Sequence, residues 1–387
     1  MGLLSAFEIM EALVSFPTVS RDPNTDLIDW VESYLAEHGI VSHRHWRDGA
    51  GTHCALFAHI GPEVAGGVVL SGHTDVVPVD GQPWSSDPYT VTERDGKYYG
   101  RGTCDMKGFD ALAIWALVEA KRRGVRRPLQ IALSYDEEVG CTGAPAMIAA
   151  MQGVLPKAEL AIIGEPSMMK AVNGHKGGVG IATHVVGFEV HSSIMHRGVS
   201  AVMEAAKLLD WANEANAEAM AATPDPLAAM FDPPWTNAHV GTIEGGTANN
   251  ITAKDCHFIM GFRVVPSETK EDWIARYTAK VREVEAAMQA VQPAARIDLA
   301  PFFDVPGLKP EEAGAAEAFV RRLTGDNASH VVSYGTEAGQ FQEAGYSAVI
   351  CGPGSIEQAH QPDEYITIAE FDAGQRFMER LLLELAA

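Results

Sequence analysis

Cysteine is scarce in this chain of 387 residues: five are scattered at Cys54, Cys104, Cys141, Cys256 and Cys351, an odd number with no Cys-x-x-Cys spacing. That usage excludes a disulfide framework and a zinc ribbon, and it suits reduced thiols in a cytoplasmic protein. Positive charge is scarce too. With 29 Lys and Arg against 51 Asp and Glu, the formal charge is −22, which argues against nucleic acids and anionic membranes as partners, because phosphate binding needs a basic surface. No uncharged apolar run approaches the ~20 residues of a membrane-spanning helix. The N-terminal Met1-Gly2-Leu3-Leu4-Ser5-Ala6-Phe7-Glu8 lacks the basic segment and long apolar segment of a signal peptide. No repeat of solenoid period recurs. Gly100-Arg101-Gly102 has the wrong spacing for a nucleotide-binding glycine turn. What remains is a cytoplasmic protein acting on a small molecule.

Length and composition then set the frame. The chain exceeds a usual single domain, so two domains are expected, and 47% hydrophobic with 21% charged residues can supply a sizeable core. The chain is organised around Val68-Val69-Leu70-Ser71-Gly72-His73-Thr74-Asp75, an apolar run of buried-strand type that ends in Ser-Gly and is followed by a histidine and an aspartate. In open α/β sheets the chemistry lies just beyond such strand ends. The same grammar recurs: 129–135 runs into Asp136-Glu137-Glu138, 158–164 into Glu165, and 346–354 leads towards His360. Asp105 stands at the start of a helical pattern, where a helix cap would also suit it. Two histidines and several carboxylates are thus placed where one cleft can collect them. Clustered carboxylates repel one another unless a divalent metal intervenes, and a metallohydrolase follows.

Helical periodicity marks 3–15, 25–38, 106–123, 199–211, 273–291, 309–323 and 366–386, and apolar runs mark strands near 40–46, 53–60, 68–73, 328–334 and 346–351. Between 178–190 and 254–264 the strands alternate instead, with Phe258, Met260, Phe262 and Val264 on one face and His257, Ile259, Gly261 and Arg263 on the other. Alternation belongs to antiparallel sheets with one wet face. Two strands and a helix, twice over, is the ferredoxin-like pattern. The expected architecture is α/β: a mixed-sheet catalytic domain at 1–178 and 293–387, made discontinuous because His360 must return to the cleft of His73, and interrupted by an α+β insert at 179–292.

Ser-Gly-His-Thr-Asp at 71–75, Gly-Arg-Gly-Thr-Cys-Asp-Met-Lys-Gly at 100–108, Asp-Glu-Glu-Val-Gly at 136–140, Gly-Glu-Pro at 164–166 and Ala-His-Gln-Pro-Asp-Glu-Tyr at 359–365 resemble, in order, the metal-binding segments of the zinc-peptidase-like family of acetylornithine deacetylases, succinyl-diaminopimelate desuccinylases, aminoacylases and carboxypeptidase G type peptidases. The likeness spans essentially the whole chain. His175-Lys176-Gly177 and Thr336-Glu337-Ala338 draw it nearest to the acetylornithine-cleaving branch. It implies hydrolysis of an N-acyl amino acid, most directly N2-acetyl-L-ornithine in arginine biosynthesis, with two divalent ions, zinc or in their place cobalt or manganese. It implies Asp105 as the bridging ligand, His73 and Glu165 at one metal, and Glu138 and His360 at the other. Glu137 is implied as general base, with Asp75 bonding the far nitrogen of His73 or, in the plain alternative, capping a turn. The insert is implied to be a lid and the surface of a homodimer. It carries His191 for the oxyanion, Arg263 for a substrate carboxylate and Asn250 for further substrate contact. Gly354 is expected in a loop near that carboxylate or in a plain turn. Glu337 is expected either to recognise the substrate ammonium or to cap the helix that begins there.

Overall fold

The structure, a computed structural model, describes residues 2–49 and 51–387. The chain divides into two compact units, one made of the chain up to Gly174 with Leu308–His330 and Thr336–Ala387, the other of His175–Gly307 with Val331–Gly335.

In the first unit, a sheet runs in spatial order Ser42–Trp46, Cys54–Ile60, Leu129–Ser134, Val68–His73, Leu160–Pro166, Ser347–Gly352 and Val172–His175. The four central strands are parallel: Val68–His73 pairs with both Leu129–Ser134 and Leu160–Pro166, and Ser347–Gly352 continues from the latter. Their continuous apolar runs are buried along their whole length or nearly so, as strands covered on both faces must be. Parallel pairing brings their carboxyl ends to one edge, and that edge holds His73, the turn after Ser134, and Glu165. Helix Lys107–Arg123 packs with them and is buried from Lys107 to Ala120. Its last turn carries Lys121, Arg122 and Arg123 before Gly124, which complements the negative end of the helix dipole. Gly164 explains how closely it packs: a Cβ there would lie 2.0 Å from the Phe109 ring.

Within the second unit, strands Gly177–Val186, Asn237–His239, Asp255–Val264 and Arg296–Val305 form an antiparallel sheet in the order Asn237–His239, Asp255–Val264, Gly177–Val186, Arg296–Val305. The short strand Ile243–Gly245 also pairs with Asp255–Val264. Helix Ala201–Ala221 follows the first strand and helix Lys270–Val291 precedes the last, which is the ferredoxin-like arrangement. Cys256, Phe258, Met260 and Phe262 face its core with Trp273, Tyr277 and Val281.

The expected end of the insert at 292 moves to Gly307, because Arg296–Val305 is the fourth strand of this sheet rather than part of the catalytic unit. Pro301 hid it. A proline reads against a strand, yet this one lies on an edge strand, where the register shifts between Pro301 and Phe303 and a missing N–H is tolerated. Helix Ala144–Val154 was not anticipated either, whereas the helix expected to begin at Glu337 is present as Ala338–Glu343. Among the described residues, no helix is long and apolar enough to cross a membrane.

Candidate metal centre

His73 ends its strand fully buried, with Nε2 3.1 Å from Asp105 Oδ1 and 3.8 Å from Glu165 Oε1. The other oxygen of Asp105 lies 3.3 Å from His360 Nε2, and that nitrogen is 2.9 Å from Glu138 Oε2. Asp105 therefore turns one oxygen to each imidazole. It does not cap the neighbouring helix, whose N-cap position is Met106 with no side-chain cap bond. His73, Asp105 and Glu138, and likewise His73, Glu137 and Glu165, each present ligand atoms within 4.8 Å of one another.

The electrostatics call for cations. Burial pushes Glu137 up to about 7, helped by the charges of Glu337 and Asp105 against the pull of His73. Glu138 also rises to about 7, through burial and then Asp105. Burial, with Asp105 and Glu137 beside it, raises Glu165 well above the usual carboxylate range. Bonds to Asp105 and Glu138 hold His360 up at about 10. Burial opposes the charge on His73, but Asp105, Glu137 and Glu165 outweigh it and raise its pKa. Burial likewise works against ionised Asp105, and the His360 and His73 imidazoles prevail and lower its pKa. Protons on the imidazoles are here compensating an excess of buried negative charge, which divalent ions would compensate better. Glu138 Oε1 is buried without a hydrogen-bond partner among the described residues. Imidazole and carboxylate donors with such a spare oxygen fit zinc or a similar ion.

Asp75 bonds His73 through its backbone rather than its side chain, and its carboxylate holds a turn. The imidazole Nδ1 of His73 meets the backbone carbonyl of Asp75 at 2.9 Å, while the Asp75 carboxylate is 3.6 Å away. That carboxylate accepts instead from the Glu137 and Glu138 N–H groups at 3.1 and 3.3 Å and from Ser20 Oγ at 2.6 Å. A backbone carbonyl fixes the imidazole tautomer as well as a carboxylate does, which frees the side chain to hold the turn that carries both glutamates. The Cys141 thiol, kept protonated by burial and by Glu137, donates to Glu137 Oε1 at 3.1 Å.

Glu337 occupies the N-cap position of helix Ala338–Glu343 but makes no cap bond. It is only 1% exposed, accepts from Ser134 Oγ and from Ser71 Oγ at 3.4 Å, and burial raises it to about 7. Gly354 has φ 86°, and a Cβ there would lie 2.6 Å from Cys104 Sγ. Its N–H donates to Glu370 Oε2 and its carbonyl accepts from Met168 N–H, so both polar groups of this backbone are engaged inside the protein rather than offered to a carboxylate.

One residue that matters here escaped the sequence reading. Glu364 is buried and accepts at Oε1 from the N–H groups of Gly102, Cys104 and Asp105 at 3.0, 3.0 and 3.1 Å. Its Oε2 takes Arg101 Nη1 at 2.5 Å. It thereby clamps the loop that presents Asp105. Its signal was its place four residues after His360, in the same short segment.

The remaining expected residues belong to the second unit. His191 is exposed, with Nδ1 2.7 Å from Ser193 Oγ. Its backbone bridges to Ile251, and Ser192 N–H donates to the Asn250 carbonyl at 2.8 Å, so His191 and Asn250 are neighbours. Arg263 projects from the open face of its strand over the Phe303 ring, 5.9 Å from its centre. Gly178 leaves its guanidinium room, since a Cβ there would come 2.7 Å from Nη1.

Residues 69–384 match peptidase family M20/M25/M40. An acetylornithine deacetylase of Myxococcus xanthus is 34% identical over 362 residues, 92% of this chain and 91% of that protein. One from Pasteurella multocida is 33% identical over 390 residues, 98% and 97% of the two chains. Among solved structures, the M20 family metallo-carboxypeptidase Sso-CP2 of Sulfolobus solfataricus superposes with a TM-score of 0.78 over 99% of each chain at 15% identity. The Bacillus subtilis YXEP protein, described as a dinuclear metal binding peptidase, gives 0.66 over 98% and 97% at 15% identity. At such identity the structures speak to the fold alone.

Proposed function

From its membership of peptidase family M20/M25/M40, to which the chain belongs, we propose that it is a metal-dependent amidohydrolase that cleaves N-acyl amino acids, with N2-acetyl-L-ornithine giving L-ornithine and acetate as its reaction. The observation that carries this reading is Asp105, one oxygen turned to His73 and the other to His360. The curated relatives named for this deacetylation favour ornithine over the succinylated, dipeptide and other acyl substrates of the same fold.

In this reading two divalent ions, zinc or cobalt in its place, would be held by Asp105 together with His73 and Glu165 on one side and Glu138 and His360 on the other. When bound, the ions supply a Lewis acid for the scissile carbonyl and a water of lowered pKa. Glu137 takes a proton from the attacking water at its free carboxylate oxygen and passes it to the departing amine. The Cys141 thiol on its other oxygen and Asp75 on its backbone N–H hold it in place. The second unit serves as lid and as the surface of a homodimer. There His191 steadies the oxyanion, Arg263 takes the substrate carboxylate through its planar fork, and Asn250 binds beside His191.

A panel of acetyl-, succinyl- and formyl-amino acids, assayed with zinc or cobalt, tests the substrate. Preference for acetylornithine is expected, and preference for a succinylated diacid would replace that reading. Glu137→Gln should keep the metals and lose about 10²–10⁴-fold in turnover. Near-wild-type turnover at equal metal content would remove Glu137 as the base.

A further inference from the structure

The open face of the second unit's sheet carries a row of donors that the proposed hydrolysis does not use. Strand register sets Glu244 opposite His257, His257 opposite His184, and His184 opposite Asp298. Directly opposed residues have Cβ atoms about 4.5–5.5 Å apart, so the row is continuous. The two imidazoles stack with centroids 3.9 Å apart and planes 20° apart. His184 Nε2 lies 2.8 Å from Asp255 Oδ1, and its Nδ1 lies 4.0 Å from Asp298 Oδ2. His184, Asp255 and His257 present ligand atoms within 4.8 Å of one another. His184, His257, Glu244 and Asp298 also line a hollow of about 560 Å³ that is open to solvent.

We propose that His184, His257 and Asp255 form a second kind of metal site, for a borderline divalent ion of the zinc, nickel or copper class, with Asp298 at its margin. Donors sharing one such ion sit about 3–4 Å apart, given metal–ligand bonds of about 2.0–2.2 Å. The three donors straddle that spacing, and rotation of one stacked ring about its Cβ–Cγ bond turns its lone pair to the common centre. Imidazole nitrogen with one or two carboxylates selects transition ions over magnesium and calcium, which prefer oxygen. The backbone needs no rearrangement, because two of the three donors oppose one another across a ten-residue strand pair. Such an ion would tie together strands Gly177–Val186 and Asp255–Val264, with water completing its coordination. Both imidazoles must be unprotonated to bind it, so loading releases protons and fails in acid.

The full chain, stripped with chelator and dialysed against about 100 µM free zinc at pH 7.5, should hold about one more equivalent of zinc than His184→Gln/His257→Gln. Hydrolytic activity of the two, each saturated with metal at the proposed centre, should be equal. Equal zinc content in wild type and variant overturns the site. Wild type alone provides an independent measure: carbethoxylation of His184 and His257, read by peptide mass spectrometry, should slow about tenfold at about 100 µM zinc for a Kd near 10 µM and stay unchanged with magnesium. Equal rates with and without zinc would likewise overturn the proposal.

Discussion

Glu364→Gln removes one charge from a buried pair and leaves the shape almost unaltered, so its effect can be worked from the contacts. The glutamine oxygen can keep the three backbone N–H groups of Gly102, Cys104 and Asp105. Its amide NH₂ must then face Arg101 Nη1, where Glu364 Oε2 now sits at 2.5 Å, and donor opposes donor. The Arg101 side chain is 1% exposed and retains, among the described residues, Gln82 Oε1 at 2.7 Å and the Trp84 ring at 5.1 Å. Breaking a buried pair from one side costs about 3–5 kcal/mol, because the surviving charge is left uncompensated. Weakening three charge-assisted bonds to neutral strength, at about 1 kcal/mol each, adds about 3 kcal/mol. The sum is a large fraction of the about 5–15 kcal/mol that holds a typical domain. The loop so loosened is the one that presents Asp105, so metal affinity should fall with stability. Urea unfolding followed by circular dichroism gives the first quantity. Zinc retained at a fixed free concentration, counted by plasma mass spectrometry, gives the second. A variant within about 0.5 kcal/mol of wild type with full metal content would refute the clamp.

Three further perturbations test other parts of the account. Burial depresses the His175 imidazole to about 4 from 6.5, so its contribution to stability is complete above about pH 6.5 and is lost as pH falls through 4. By pH 5 that loss is about 2 kcal/mol, and His175→Gln should escape it; an unfolding free-energy difference between variant and wild type that is the same at pH 8 and pH 5 would show that the native imidazole is not held neutral. With its carboxylate turned onto Ser71 and Ser134, Glu337 should affect all substrates alike, so Glu337→Gln should lower turnover on acetylornithine and acetylmethionine by similar factors. A KM rise confined to acetylornithine would instead restore recognition of the substrate ammonium. Gly178→Ala should push the Arg263 guanidinium aside at little cost in melting temperature while raising KM about tenfold; an unchanged KM would separate Arg263 from the substrate carboxylate.

Much of this was legible because buried parallel strands leave a plain trace, an apolar run with chemistry at its end. His73, Glu137, Glu138 and Glu165 could be placed that way, and the return of His360 forced a discontinuous first unit. What stayed hidden depends on atoms that a residue string does not separate. Asp75 was identified by its side chain, yet its carbonyl faces His73 and its carboxylate faces elsewhere. Asp105 carried two compatible readings until its oxygens were seen to point at imidazoles rather than at a helix terminus. The strand Arg296–Val305 was concealed by Pro301 because propensity takes no account of whether a strand lies on an edge. Glu364 was hidden by its neighbour, since a histidine marks a metal-binding segment in a residue string more plainly than a glutamate four positions on.

The two attachments of Asp75 also bear on how this chain can change over generations. Its carbonyl steadies the imidazole at the end of one strand, and its carboxylate steadies the turn after the next, with Ser20 supporting the carboxylate from a distant part of the chain. Substitutions at Ser20, Asp75, Glu137 and Glu138 therefore share partners and will not combine additively. A replacement tolerated at one of these positions alters what is permissible at the others. Drift in this region is expected to be epistatic, proceeding by compensating pairs, whereas the solvent-facing positions of the second unit's helices remain free to vary one residue at a time.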